Sequence, residues 1–222
     1  MSLKLGLSIG LLAGQDLLSE GTKWVKEAER LGFDSVWASE TYGSDALTPL
    51  AWWGSQTERV RLGTSIAQLS ARRPTATAMA AMTMDHLSGG RFVLGLGVSG
   101  PQVVEGWYGE PFGKPLARMR EYVAIVRDVI ARRGPVTSDG PHYPLPADDG
   151  RPGVTGLGKP LKSVLHPLRE RIPILLAAQG PKNVALAAEI GDGWLPLYYS
   201  PYYDDELYRP SATGKLFAFS SE

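Results

Sequence analysis

Cysteine is absent from the 222 residues. That excludes disulfides, thiolate nucleophiles and thiolate-ligated metals, and leaves the compartment open. An excess of either charge is absent too. Lys+Arg and Asp+Glu are equal at 23 each, for a net charge of zero. Such a chain has no electrostatic footprint for nucleic acid or an acidic membrane surface. No apolar run approaches the ~18 residues that a membrane span needs. The apolar start, MSLKLGLSIGLLAG, is short and has no basic leader, so it reads as a strand and turn rather than a signal peptide. A cytoplasmic protein is expected. Histidine is scarce: His86, His142 and His166 are scattered without metal-ligand spacing, and no metal site is expected.

What is present is alternation. The length suits one core and is awkward for two; 43% hydrophobic and 21% charged residues are ordinary for a globular domain. Strand patterns are expected at Leu3–Ile9, Ser35–Ala38, Val60–Ile66, Phe92–Gly97, Ile174–Ala178 and Gly193–Leu197. Helical patterns fall between them. Ser19 is placed to cap the first, which Gly32 closes; the others run over Leu47–Thr57, Pro74–Leu87, Pro115–Arg133 and Lys182–Ile190. Strands separated by helices imply right-handed βαβ units and a parallel sheet. The run Gly95-Leu96-Gly97-Val98-Ser99-Gly100 lacks the spacing of a dinucleotide-binding fingerprint, and no helix is expected directly behind it. The pattern therefore favours an α/β fold of TIM type, a (β/α)8 barrel, over a dinucleotide-binding sheet.

Two stretches break the rhythm of this single domain, residues 1–222. Residues 134–171 form a Gly/Pro-rich insertion without periodicity, and after residue 200 the tail is irregular. An eight-stranded barrel takes about 250 residues. Only six strand signals are found here, with Leu216–Phe219 as a seventh candidate, so the barrel is expected to be shortened at its C-terminal end.

Small residues cluster where strands end. Val98, Ser99, Gly100 and Pro101 follow the fourth strand, and Ala177, Ala178, Gln179 and Gly180 join the fifth strand to a helix. Small side chains let a ligand approach the backbone, and free N–H groups at a helix start favour an anion. In α/β barrels that end of the strands is where sites are built. Glu40 follows the second strand and Arg72 and Arg73 the third; the arginines either sit in solvent or meet a polyanion. Trp107 and Tyr108 either wall a pocket or pin their loop to the rim. Tyr198, Tyr199, Tyr202 and Tyr203 gather after the sixth strand, as a pocket wall or a subunit contact.

Four segments, in this order and each at a strand end, carry a family likeness: FDSVWASETYGSD (33–45), RLGTSIAQLSARRP (61–74), LSGGRFVLGLGVSGPQVVEGWYGEPFGKPLARMREY (87–122) and IPILLAAQGPKNVALAAEIGDGW (172–194). The chain resembles the bacterial luciferase-like monooxygenase superfamily, in the branch that uses the deazaflavin coenzyme F420. The resemblance covers about residues 3–200 and implies a barrel with F420, or alternatively FMN, at its mouth. It implies a non-proline cis peptide at Ser65–Ile66 against the back of the ring, and the cofactor phosphate at Ala177, Ala178, Gln179 and Gly180 beside Val98, Ser99 and Gly100. Glu40 is the candidate catalytic and ring- or ribityl-binding residue. It stands with Thr41 where relatives often carry an Asp-His pair, so the imidazole proton donor is missing. The resemblance implies an F420-dependent oxidoreductase passing a hydride to or from a small organic substrate. The alternatives are an FMN-dependent monooxygenase or, given the shortened barrel, a non-catalytic flavin- or deazaflavin-binding protein. It also implies a homodimer through the helices that carry Trp52, Trp53, Met79, Met82 and Met84.

Overall fold

The computed structural model describes residues 4–10, 17–147 and 150–212, without the side chains of Leu17, Leu18 and Leu207. Its strands are β1 (Gly6–Ile9), β2 (Ser35–Ala38), β3 (Arg61–Thr64), β4 (Ala67–Gln68), β5 (Phe92–Gly97), β6 (Ile174–Ala177) and β7 (Gly193–Leu195). Its helices are α1 (Leu17–Arg30), α2 (Thr48–Gly54), α3 (Pro74–Leu87), α4 (Pro101–Gly106), α5 (Pro115–Ala131) and α6 (Pro181–Ile190). All strand pairs are parallel, in the order β1-β2-β3-β5-β6-β7, with β4 also on β5. This is the expected α/β architecture: a curled part-barrel of the TIM type, shorter than eight strands among the described residues. The Leu216–Phe219 candidate lies outside those residues. Among them, no helix is long and apolar enough to cross a membrane.

The boundaries follow local chemistry. Pro74, Pro101, Pro115 and Pro181 each open a helix, where a missing N–H costs nothing. Two expectations need correction. Ser19 lies inside α1, which begins at Leu17, and so is not its cap. A helix does open directly behind Gly100: α4, only six residues long. At α2 the cap work falls to Asp45, whose Oδ1 accepts the N–H groups of Leu47 (2.9 Å) and Thr48 (2.8 Å). Burial opposes the charge on Asp45, but those donors and Arg72 hold its carboxyl below the ordinary range.

β3 and β4 are one strand interrupted. From Gly63 to Ala67 the chain takes four steps while β5 takes three, from Val93 to Leu96. The extra residue is a bulge, and the Ser65–Ile66 peptide within it is cis. The Thr64 hydroxyl repairs the ladder there. It donates to the Gly95 carbonyl (2.7 Å) and accepts from the Gly95 N–H (2.8 Å).

β5 is buried along its whole length. Outside it, α3 and α5 pack together around Tyr122, which is fully buried, bonded to the Thr77 hydroxyl and donating to the Arg72 carbonyl. The insertion carries two antiparallel bridges, Val136–Leu161 and Ser138–Leu145. It sends Tyr143 edge-on against Tyr122 in the core. Its return is anchored at the barrel base by Arg169, whose guanidinium grips buried Asp85 and the Phe92 carbonyl. His86, at the same end, bonds the His166 carbonyl.

Candidate functional site

Parallel neighbours end on one side, so the loops after β2, β3/β4, β5, β6 and β7 meet at one mouth. At its centre the bulge is held from β2. The Ser39 hydroxyl donates to the Ser65 carbonyl (2.6 Å), the Ser65 N–H to the Ala38 carbonyl (2.7 Å), and the Glu40 N–H to the Ile66 carbonyl (3.2 Å). On the other flank a methyl added at Gly97 would lie 2.7 Å from the Ile66 side chain and 3.3 Å from the Ala177 methyl. Only glycine lets Ile66 settle against β5. Ile66 and Ala177 thus both lie against Gly97.

Glu40 is 5% exposed. Its Oε2 accepts the Gln68 backbone N–H (2.8 Å) and the Arg72 guanidinium (2.7 Å), and Arg72 also faces Asp45 at 3.9 Å. Arg72 is the partner of Glu40, a role outside both sequence alternatives. This side-chain hydrogen bond raises the Arg72 pKa above an ordinary guanidinium's. The pair locks the loop after β2 to the turn after β4.

Ser99 takes a left-handed backbone, φ 56°, between β5 and α4. Of Trp107 and Tyr108, at the end of α4, Tyr108 takes the pinning role. Tyr108 donates to the Thr41 carbonyl (3.2 Å) and pins the loops together, while burial and the nearby Glu40 charge raise its hydroxyl's pKa. Trp107 stays exposed, 6.5 Å from the ring of exposed Tyr42. On the β6 side, Gly180 opens α6 with no side-chain cap, and a methyl there would touch nothing. The Ala178 carbonyl is drawn back by the Trp194 indole N–H (2.8 Å). Trp194 meets the rings of Tyr199 and Tyr208; Tyr198, Tyr199, Tyr202 and Tyr203 of the expected cluster are all exposed.

One residue escaped the sequence reading. Gln68, 1% exposed, has an amide whose nitrogen and oxygen both lack a hydrogen-bond partner. Buried polar groups are almost always paired. A glutamine directly after the run Thr64-Ser65-Ile66-Ala67 was the available signal. This unpaired donor and acceptor lie beside the bulge, on the residue whose N–H Glu40 fixes. A partner edge that offers both a carbonyl and an N–H would satisfy the two atoms. Among the described residues, no group of three or more His, Cys, Asp or Glu is placed to hold a metal.

Comparison with known proteins now decides the family. The model of the luciferase-like monooxygenases matches residues 3–212. The chain belongs to the luciferase-like monooxygenase family. A Mycobacterium tuberculosis protein, named as a coenzyme F420-dependent oxidoreductase, is 62% identical over 218 residues, 95% of this chain and 62% of that protein. A 5,10-methylenetetrahydromethanopterin reductase of Archaeoglobus fulgidus is 35% identical over 175 residues, 78% of this chain and 47% of the reductase. This luciferase-like chain thus spans less than two thirds of either relative. Among solved structures, an F420-dependent secondary alcohol dehydrogenase bound to an F420-acetone adduct superposes with a TM-score of 0.81 at 19% identity, over 96% of this chain and 63% of that one. That likeness supports the fold.

Proposed function

We propose that this chain is the cofactor-binding part of a coenzyme F420-dependent oxidoreductase that passes a hydride between the deazaflavin and a small organic substrate. The observation that carries the geometry is the unpaired Gln68 amide at the bulge. The choice of F420 over FMN is supported by the 62% identity to a protein named for F420. When bound, the deazaflavin supplies two-electron hydride chemistry. The chain's own residues bind, orient and exclude water. Ser65 and Ile66 back one ring face, and the Gln68 amide answers the ring edge. Ala177, Ala178, Gln179 and Gly180, with Val98, Ser99 and Gly100, offer main-chain amides and open space to the phosphate. Glu40 acts as a positioning residue, holding Arg72 and the Gln68 backbone in place.

The test is titration of the purified protein with F420 and with FMN, read by absorbance or fluorescence. F420 should bind at least about tenfold more tightly, a difference of ~1.4 kcal/mol. FMN binding without F420 binding, or binding of neither, defeats the proposal.

We also propose a homodimer through the outer face of α2 and α3. Trp53, Met82 and Met84 prove to be core, whereas Trp52 and Met79 are each 59% exposed. Large apolar side chains left in solvent on adjacent helices favour a covered face. Light scattering should give a dimer at micromolar concentration, and Trp52→Glu should give a monomer. A monomeric wild-type protein removes this proposal.

A further inference from the structure

Two large aromatic side chains on the rim of the mouth are left in solvent. Tyr42 is 68% exposed and Trp107 64% exposed, and their rings lie 6.5 Å apart at 56°. Tryptophan is highly buried on average. Paired rings ordinarily sit about 4.5–7 Å apart, so this contact is a loose one and leaves most of each ring uncovered.

Both rings are held in place by the backbone beside them. Tyr42 directly follows Thr41, and Trp107 directly precedes Tyr108. The Tyr108 hydroxyl donates to the Thr41 carbonyl (3.2 Å), which ties the loop after β2 to the end of α4 at that point. The Trp107 N–H closes the last turn of α4 on the Val103 carbonyl (2.9 Å), and Val104 in that helix is buried. Rings mounted on tied loops lose little freedom when a further apolar group meets them.

The surroundings set the kind of group. The segments that carry the two rings, residues 39–45 and 98–110, contain Glu40, Asp45, Glu105 and Glu110 and no Lys, Arg or His. Arg72 reaches this side of the mouth, but it is met by Glu40 at 2.7 Å and faces Asp45 at 3.9 Å. An anion brought to the rings would face carboxylates, and like charges brought together are costly.

We propose that Tyr42 and Trp107 are substrate-specificity residues of the mouth, and that they hold a substrate through an uncharged aromatic or bulky apolar group. This rests on the oxidoreductase reading given above and names the substrate class for it.

The test uses 2-naphthylmethanol as probe, with 2-naphthoate as its anionic counterpart, by titration calorimetry with and without F420. The wild type is compared with Tyr42→Ala/Trp107→Ala, with Trp107→Phe, and with Trp52→Ala, which removes an exposed tryptophan of α2. The replaced side chains are exposed, and thermal melting should show that every variant folds. The alcohol should bind the wild type, and bind the double variant at least about tenfold more weakly. Trp107→Phe should keep most of the affinity and Trp52→Ala all of it. The naphthoate should bind the wild type more weakly than the alcohol does. If F420 binds and the alcohol binds the double variant as tightly as the wild type, the rim is overturned and the cofactor reading stands. If F420 does not bind while the loss in the double variant holds, the cofactor reading fails and the rim stands as a site for apolar groups. Naphthoate binding more tightly than the alcohol overturns the uncharged class. No binding of the alcohol by the wild type, with or without F420, overturns the proposal outright. So does a wild-type dimer that becomes a monomer in the double variant by light scattering, which makes the rim a subunit contact.

Discussion

Gly95→Ala should abolish cooperative folding. A methyl there would sit 1.8 Å from the Thr64 carbonyl oxygen and 2.8 Å from a Leu195 methyl. The Leu195 contact alone is relieved by a rotamer change. The Thr64 contact cannot be, because the offending atom is backbone, in the residue that starts the bulge. To escape, β3 and β5 must separate, which breaks both hydrogen bonds between the Thr64 hydroxyl and Gly95 in a fully buried strand. Overpacking ordinarily costs about 1–3 kcal/mol where side chains can adjust. Adding two broken buried hydrogen bonds, each left unsatisfied at about 1–3 kcal/mol, takes up much of a stability that is itself only ~5–15 kcal/mol. The expected outcome is an insoluble protein, or one without a sharp thermal transition. Gly180→Ala is the control: it meets nothing within 4 Å and should melt as the wild type does. A soluble Gly95→Ala protein melting within ~2 °C of wild type, less than about 1 kcal/mol at this size, would show that the strands separate easily and that the bulge is not rigid.

The same region shows what was legible beforehand. Where breakers bound an apolar run, the expected and observed limits agree: Phe92–Gly97 follows Gly89-Gly90, Pro74–Leu87 starts at its proline, and Ser35–Ala38 matches to the residue. The third strand was read as one piece, because a pattern of apolar residues cannot show that one of them is an extra step against a neighbour. Its break is a tertiary fact, enforced from outside the local sequence by Ser39 and Glu40 after β2 and by Gly95 of β5. α4 was missed since PQVVEG joins two β-branched residues to a glycine and offers little helix propensity. Glu40 was legible as a carboxylate at the mouth, but its pairing with Arg72, 32 positions on, was not. The small residues at the strand ends, Val98, Ser99, Gly100 and Ala177 to Gly180, are legible from position, whereas Ser65 and Ile66 come from the family likeness alone. Gln68 lies within segment 61–74, which carries that likeness, but nothing in a sequence shows that an amide has no partner.

That amide yields the most discriminating result expected of this protein. Gln68→Leu should make the cofactor-free protein more stable and the cofactor bind more weakly. The two effects have one cause. In the free protein the amide is 1% exposed and unpaired at both ends, so it carries a desolvation penalty of about 1–3 kcal/mol with nothing in return. Leucine is close in volume and has no polar atom to strand. The melting temperature should therefore rise by roughly 3 °C per kcal/mol relieved, as expected for a domain of this size. In the complex the wild-type amide would donate to and accept from the ring edge, while in the variant the ring's polar groups face a hydrocarbon. Losing two such bonds predicts an affinity about 10- to 100-fold lower. Trp53→Phe separates this from a general property of stranded groups. The Trp53 indole N–H is also buried and unpaired, but it belongs to α2, in the core rather than at the mouth. Its replacement should alter stability and leave cofactor affinity alone. Should Gln68→Leu instead destabilise the free protein and bind F420 as tightly as before, the amide would have a partner within the chain, and the mouth would lose the group that marks it as a ring site.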